Sequence, residues 1–228
     1  MTMKRLKIDH LLTYQPITEN QRIAYEAFKE GDHLVLCGSA GTGKSFVGMY
    51  LALQDVLDKS YEQNKLVIVR SVVPTRDMGF LPGGIEEKID TYTAPYRSIA
   101  AELFDQHNAY ELLEAQGAIE FLSTSFIRGT TLDNAVILVD EMQNLTFHEL
   151  DSIITRVGRN SRIIFSGDYY QTDLSKEADK TGILKFLNIM EVMNNFTTIE
   201  FGWADIVRSD FVRDYIMTKD MVERGDIQ

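Results

Sequence analysis

Short unbroken apolar runs alternate along this chain with longer stretches of mixed polarity. The clearest runs are Leu34-Val35-Leu36-Cys37, Leu66-Val67-Ile68-Val69, Val136-Ile137-Leu138-Val139 and Ile163-Ile164-Phe165. Runs of this length, bounded by turn residues, predict strands buried on both faces, the habit of a parallel sheet covered by helices. Ile119-Glu120-Phe121-Leu122 and Thr197-Thr198-Ile199-Glu200-Phe201 predict two more strands. The intervening stretches carry helical periodicity and helix punctuation. Thr18-Glu19-Asn20-Gln21 has the form of a capping box and opens a helix to about residue 29 that stops at Gly31. Further helices are predicted over 46–60, 85–92, 96–105, 109–115, 182–193 and 209–223, with Pro95 separating the second and third. Thr146 caps one more, ending near Gly158. The alternation predicts an α/β domain with a mostly parallel central sheet and helices on both faces. Residues 1–16 are predicted to be a loosely held, flexible N-terminal arm. Residues 17–228 are predicted to form one domain, with 85–116 as a helical insertion on one edge of its core.

Composition narrows the functional classes. The chain has 228 residues, 44 % of them hydrophobic, which suits one large domain with a buried core. The formal net charge is -11, which opposes nonspecific adhesion to nucleic acid but leaves room for a local basic groove. The single cysteine, Cys37, excludes an internal disulfide and points to a reducing compartment, so a cytoplasmic location is expected. Cys37 lies within a predicted strand and is read as core. The four histidines have no ligand spacing, so a zinc site is not expected. No apolar run has the length of a bilayer span, and no apolar stretch follows the first charged residues as a signal peptide would require.

The chemistry concentrates after three of the predicted strands. Gly38-Ser39-Ala40-Gly41-Thr42-Gly43-Lys44-Ser45 fits G-x-x-x-x-G-K-[ST] at every fixed position, between a strand and a helix. Backbone N–H groups of such a loop cradle phosphate oxygens, the lysine reaches the outer phosphates, and the Ser45 hydroxyl is placed for Mg²⁺. Asp140 and Glu141 end the 136–139 strand, at the edge where ligands of parallel sheets bind. Asp140 is the expected partner of Mg²⁺, and Glu141 the group that orients and polarises the attacking water. Ser166-Gly167-Asp168-Tyr169-Tyr170-Gln171 follows another core strand. Its Gln171 amide suits sensing of a γ-phosphate, and Asp168 suits support of the metal shell. Gln21, near the start of the first helix, can read an adenine edge, serve its cap, or do both. Among the arginines, Arg208 is the favoured candidate for stabilising charge on a transferred phosphoryl group, with Arg70 and Arg128 behind it.

These segments together resemble the PhoH family of P-loop ATPases, which is similar to the first motor domain of superfamily-one helicases. Gly79-Phe80-Leu81-Pro82-Gly83, Arg128-Gly129-Thr130-Thr131-Leu132, Asp140-Glu141-Met142-Gln143-Asn144, Gly167-Asp168-Tyr169-Tyr170-Gln171-Thr172-Asp173-Leu174 and Ile206-Val207-Arg208 carry the resemblance beside the 38–45 loop. Coverage runs from about residue 17 to 216. Thr130, Ser71 and Gly84 depart from the family's usual arginine, proline and acidic residue, and Met142 from its usual small one. The resemblance implies a RecA-like P-loop NTPase fold and ATP hydrolysis with ATP and Mg²⁺. It also implies assembly as a homo-oligomer, a hexameric ring, and a link to RNA metabolism. A single domain of this kind has no second face to close over the γ-phosphate. A neighbouring subunit is therefore expected to supply one, with Arg208 or Arg70 reaching across. Movement along RNA or single-stranded DNA is a further reading, to which the net charge is opposed. A P-loop phosphotransferase and a nucleotide-gated scaffold with negligible turnover are the alternatives.

Overall fold

The structure is a computed structural model and describes residues 5–72, 85–127, 129–168 and 177–224. Six strands, β1 (His33–Gly38), β2 (Lys65–Arg70), β3 (Ile119–Ser123), β4 (Ala135–Val139), β5 (Arg162–Gly167) and β6 (Phe196–Phe201), form one sheet in the order β3-β2-β4-β5-β1-β6. Every pairing is parallel. The helices are α1 (Glu19–Glu30), α2 (Lys44–Leu57), α3 (Ile85–Phe104), α4 (Ala109–Ala115), α5 (Phe147–Ile154), α6 (Glu177–Val192) and α7 (Asp210–Arg224).

The apolar runs divide by parity, because successive strand side chains leave opposite faces of the sheet. Leu34, Leu36, Leu66, Ile68, Val136, Leu138 and Ile164 pack on the layer that contains α1 to α4. Val35, Cys37, Val67, Val69, Ile137, Val139, Ile163 and Phe165 pack on the layer that contains α5 and α6. Each strand of the central four therefore serves two cores. Cys37 belongs to the second; burial, then the nearby Glu200 charge, pushes its thiol up to about 12, and its Sγ donates to the Ile199 carbonyl.

Local signals placed most helix ends. Gly31 ends α1 in the left-handed conformation, φ 108°. Thr146 and Glu149 form a reciprocal capping box at α5, with Glu149 N donating to Thr146 Oγ1 and Thr146 N to Glu149 Oε2. At α1 the expected box is half formed: Gln21 N donates to Thr18 Oγ1, but the Gln21 side chain accepts from Ile17 N instead of Thr18 N. Pro95 does not divide its helix as expected. Tyr96, Ala100 and Leu103 are all buried, and their i, i+4, i+7 spacing packs one face of α3 beyond the proline. Helices α3 and α4 form the crossover from β2 to the edge strand β3, and Tyr110 and Leu113 bury in the same core as α1 and α2. Residues 5–16, expected to be loosely held, are anchored instead. Leu6 is buried and its N–H donates to Gln116 Oε1, while Tyr14 N–H donates to Tyr50 Oη and its ring meets Phe46 edge-on. Among the described residues no helix is long and apolar enough to cross a membrane.

One partly buried ion pair ties the base of the sheet together. Arg162 at the start of β5 pairs with Asp55 of α2 at 2.8 Å, donates to the carbonyls of Phe28 and Asp32, and lies over the Phe28 ring. Burial lowers the Arg162 pKa and raises that of Asp55, so desolvation outweighs mutual attraction on both sides. Breaking such a pair leaves one buried charge without compensation. Arg162→Met should cost about 3–5 kcal/mol in urea unfolding, whereas Arg162→Met with Asp55→Leu should recover most of the loss. Equal losses in the single and double variants would contradict this.

His33 at the head of β1 accepts the Ile163 N–H through Nδ1, which requires the neutral ring. Burial, and next the Arg162 charge, lower its pKa below the ordinary 6.5. Protonation therefore favours the unfolded chain. The His33 contribution is complete above pH 6.5 and is lost as pH falls through that value toward the lowered native pKa. His33→Asn keeps an acceptor without the titration. Its stability should fall less than that of the parent between about pH 6.5 and 5, as read by thermal unfolding across that window.

Candidate nucleotide site

The carboxyl ends of β1, β4 and β5 open into a cleft of about 790 Å³. Lys44, Ser45, Asp140, Glu141, Asp168 and Arg208 all line it. The sequence separates Ser45 from Asp140 by 95 positions, and the sheet order brings them together. Ser45 Oγ donates to Asp140 Oδ1 at 2.8 Å.

The 38–45 loop is shaped by close approach to β6. Gly38 has φ +117°, and a Cβ there would lie 2.1 Å from the Phe201 carbonyl oxygen, so this first position excludes every side chain. Ser39 N–H donates to that same carbonyl. Ala40 and Gly41 form the outer bend. Thr42 Oγ1 donates to the Ser39 carbonyl across the loop. Gly43 is left-handed and launches α2. Lys44 is buried, and its Nζ donates to the carbonyls of Gly38 at 2.9 Å and Ser39 at 2.7 Å. Burial lowers its pKa, and the negative charges of Asp168, Asp140 and Glu141 act in the opposite direction. Gln21, also buried, grips the loop from outside: Nε2 donates to the Thr42 carbonyl at 3.3 Å while Oε1 holds Ile17 N–H.

The acidic end of β4 is held from three sides. Asp140 is 4 % exposed, and its N–H donates to the Val69 carbonyl of β2. Its Oδ1 takes Ser45, and its Oδ2 accepts from Tyr96 Oη of α3 at 2.9 Å. Glu141 occupies the left-handed region at φ 53°, a conformation that costs a side-chain-bearing residue about 1–3 kcal/mol and recurs at functional sites. Gln143 Nε2 donates to Glu141 Oε2 at 2.6 Å, and Gln143 Oε1 accepts Asp168 N–H at 3.0 Å. Gly167 makes room for this link, since a Cβ there would fall 2.3 Å from Gln143 Oε1. One amide thus joins the end of β4 to the end of β5.

The two arginines expected to reach into a neighbour lie against groups of their own cleft. Val207 N–H donates to the Gly41 carbonyl, and a Cβ at Gly41 would lie 3.1 Å from Arg208 Cγ. Arg208 therefore rests against the loop of the chain that carries it. Arg70, at the end of β2, interacts electrostatically with Tyr96 and has its guanidinium 5.8 Å from the centre of the Tyr92 ring. Burial opposes its charge, but Tyr96, Glu141 and Asp140 outweigh that and raise its pKa. Gln171, residues 79–83 and Arg128 lie outside the described residues. Tyr96 and Gln143 were not singled out from the sequence. Gln143 sits within the acidic motif, and Tyr96 shows itself only as one apolar position of an amphipathic helix.

The oxygen-rich pair Ser45 and Asp140 is a donor set that suits Mg²⁺, which prefers hard oxygen ligands and binds with few protein groups. Comparison with known proteins agrees with the cleft. The family model described as PhoH-like protein matches residues 13–219. A PhoH-like protein of Synechocystis is 34 % identical over 197 residues, covering 86 % of this chain and 59 % of the relative. One from Bacillus subtilis is 31 % identical over 204 residues, covering 89 % and 63 %. The chain thus spans about three-fifths of the length of these relatives. Among solved structures, the large terminase of bacteriophage HK97 superposes with a TM-score of 0.56 at 13 % identity, over 99 % of this chain and 50 % of that one. The large terminase of a thermophilic bacteriophage, in complex with ADP, gives 0.52 at 13 % identity, over 88 % and 49 %. At such identity the likeness is one of fold, the RecA-like P-loop NTPase fold with its parallel sheet. The fold, the loop and the match over most of its length place this chain in the PhoH-like protein family.

Proposed function

We propose that this domain binds ATP together with Mg²⁺ and hydrolyses it. The observation that carries the reading is the convergence of Lys44, Ser45, Asp140 and Glu141 in one cleft. Lys44 exchanges its bonds to the loop carbonyls for phosphate oxygens, moving a buried positive charge onto a negative ligand. Ser45 and Asp140 hold Mg²⁺, which when bound neutralises charge on the β- and γ-phosphates. Glu141 orients the attacking water and takes its proton; the Gln143 bond fixes one carboxylate oxygen and leaves the other for that task. Gln171 is proposed to sense the γ-phosphate, and Asp168 to support the metal shell. Gln21 has one N–H and one lone pair left after its two bonds within the protein, enough to read an adenine edge.

Arg208 and Arg70 are proposed to act within their own chain, since Arg208 already lines the cleft and Arg70 lies beside its carboxylates. A ring of subunits is then not needed to provide a guanidinium, and the argument for a shared site loses its main support. Assembly would have another basis. The net charge of -11 sets RNA or single-stranded DNA as a modulator to be tested, not as the primary ligand.

Steady-state ATP turnover tests the reading. Glu141→Gln should lower turnover by about 10²-fold or more while keeping nucleotide binding, as expected on losing a general base. An unchanged rate in Glu141→Gln would overturn the role given to that carboxylate. Negligible turnover in the parent chain would favour a nucleotide-gated scaffold, and transfer to a small acceptor faster than to water would favour a phosphotransferase.

Turnover should also be independent of protein concentration if both arginines act in cis. A rate per molecule that falls on dilution, alongside dissociation seen by light scattering, would restore the shared site. Adding RNA or single-stranded DNA in the same assay, at two salt concentrations, reads any coupling to nucleic acid as a salt-sensitive rise in rate.

A further inference from the structure

We propose that Tyr96 of α3 is a positioning residue for the metal-facing carboxylate, so that α3 takes part in the nucleotide site. The inference rests on the assignment of Asp140 to Mg²⁺ made above, and extends it to a residue outside every motif of the cleft.

Three observations carry it. First, Tyr96 is wholly buried, and its hydroxyl donates to Asp140 Oδ2 at 2.9 Å while Ser45 Oγ donates to Oδ1 at 2.8 Å. The two donors address different oxygens of one carboxylate, which fixes rotation about its last side-chain bond. Each oxygen has a second lone pair, and the fixed plane decides where those point. Second, Tyr96 is itself held: its ring is wholly buried and lies beside Phe121 of β3 with centroids 6.1 Å apart. Third, Tyr96 is carried on the helix that supplies one wall of the cleft, through Pro95, Ser98, Ile99 and Glu102. Neither hydrophobic burial nor helix packing needs the hydroxyl; a phenylalanine would fill the same space. The hydroxyl has its one donor bond to Asp140, and outer partners of this kind orient metal-binding carboxylates.

The chain Tyr96–Asp140–Ser45 therefore spans α3, the end of β4 and α2 at the open edge of the sheet. Movement of α3 relative to β4 would alter the Tyr96 bond first and the orientation of Asp140 next.

The test is binding of a fluorescent ATP analogue, measured in EDTA and then across a Mg²⁺ titration, without reference to turnover. In EDTA, Tyr96→Phe should bind as the parent does, because the 38–45 loop is untouched; this also shows that the variant is folded. The Mg²⁺ concentration that gives half of the metal-dependent tightening should rise about tenfold or more, the usual effect of removing an outer-shell partner. Phe121→Leu removes the ring beside Tyr96 and should move the same midpoint in the same direction by a smaller factor. That second variant decides the matter if Tyr96→Phe does not fold. Asp140→Asn is the control for the underlying assignment. Loss of the Mg²⁺ effect in Asp140→Asn with an unchanged midpoint in the folded Tyr96 or Phe121 variant would overturn the proposal and leave the assignment standing. No Mg²⁺ effect in the parent chain, or a parent-like Asp140→Asn, would overturn both.

Discussion

A carboxylate that is 4 % exposed has to be satisfied by protein, and in this fold Asp140 is satisfied by groups from separate elements. Its backbone N–H is paired to β2, one oxygen takes a hydroxyl from the first turn of α2, and the other takes α3. An unpaired buried charge would be far costlier than any of these bonds is stabilising. The carboxylate therefore acts as a gauge: the first turn of α2, the end of β4 and the α3 wall are compatible only in the arrangement that supplies both side-chain donors. The cleft is a consequence of that requirement together with the strand order, which inserts β5 between β1 and β4 and leaves the loops after them facing one another.

The strand order was open to sequence reasoning only in part. Unbroken aliphatic runs such as 136–139 announce strands buried on both faces, and their parity division between two cores is a direct result of the pleat. The 38–45 loop and the acidic pair at 140–141 were legible because phosphate and metal chemistry restrict residue type and spacing severely. What escaped is what depends on contacts between distant segments. Pro95 reads locally as a break, yet the buried face formed by Tyr96, Ala100 and Leu103 keeps α3 continuous, so packing overrides a local cost. Polar residues 5–16 read as free, but one buried leucine and a few hydrogen bonds to α2 and residue 116 suffice to fasten them. The positions of Arg70 beside the β4 carboxylates and of Arg208 against Gly41 could not be read from their spacing, because they follow from where β2 ends and where the segment before α7 passes over Gly41.

Tyr96 and Gln143 illustrate a common limit. Each bonds a carboxylate of the cleft. Such partners need only one hydrogen-bonding atom at one point in space, and many residue types on many elements can deliver it. The sequence therefore bears no characteristic spacing for Tyr96, and Gln143 shows only as one position of the acidic motif. A space requirement elsewhere is the clearer trace: Gly167 is the residue that lets Gln143 approach, since any Cβ would occupy the amide oxygen's place. In a single sequence that glycine looks like an ordinary turn glycine, and its meaning appears only with the contact.

Lys44 shows how the same economy of buried charge prepares the site for an anion. Its ammonium is removed from water and lies against loop carbonyls, with the carboxylates of Asp168, Asp140 and Glu141 near enough to favour the charge that burial opposes. Carbonyl dipoles compensate a full charge incompletely, because each offers only a partial negative end. An incoming triphosphate brings full negative charge to the same ammonium, within a region of low dielectric where that attraction is strong. The acidic groups that favour the charge on Lys44 also repel phosphates, and the Mg²⁺ proposed to lie beside Asp140 would offset that repulsion. The loop, the lysine and the carboxylates thus form one interdependent arrangement, in which removing the carboxylates would weaken the charge on the lysine and removing the lysine would leave the carboxylates facing an anion unaided.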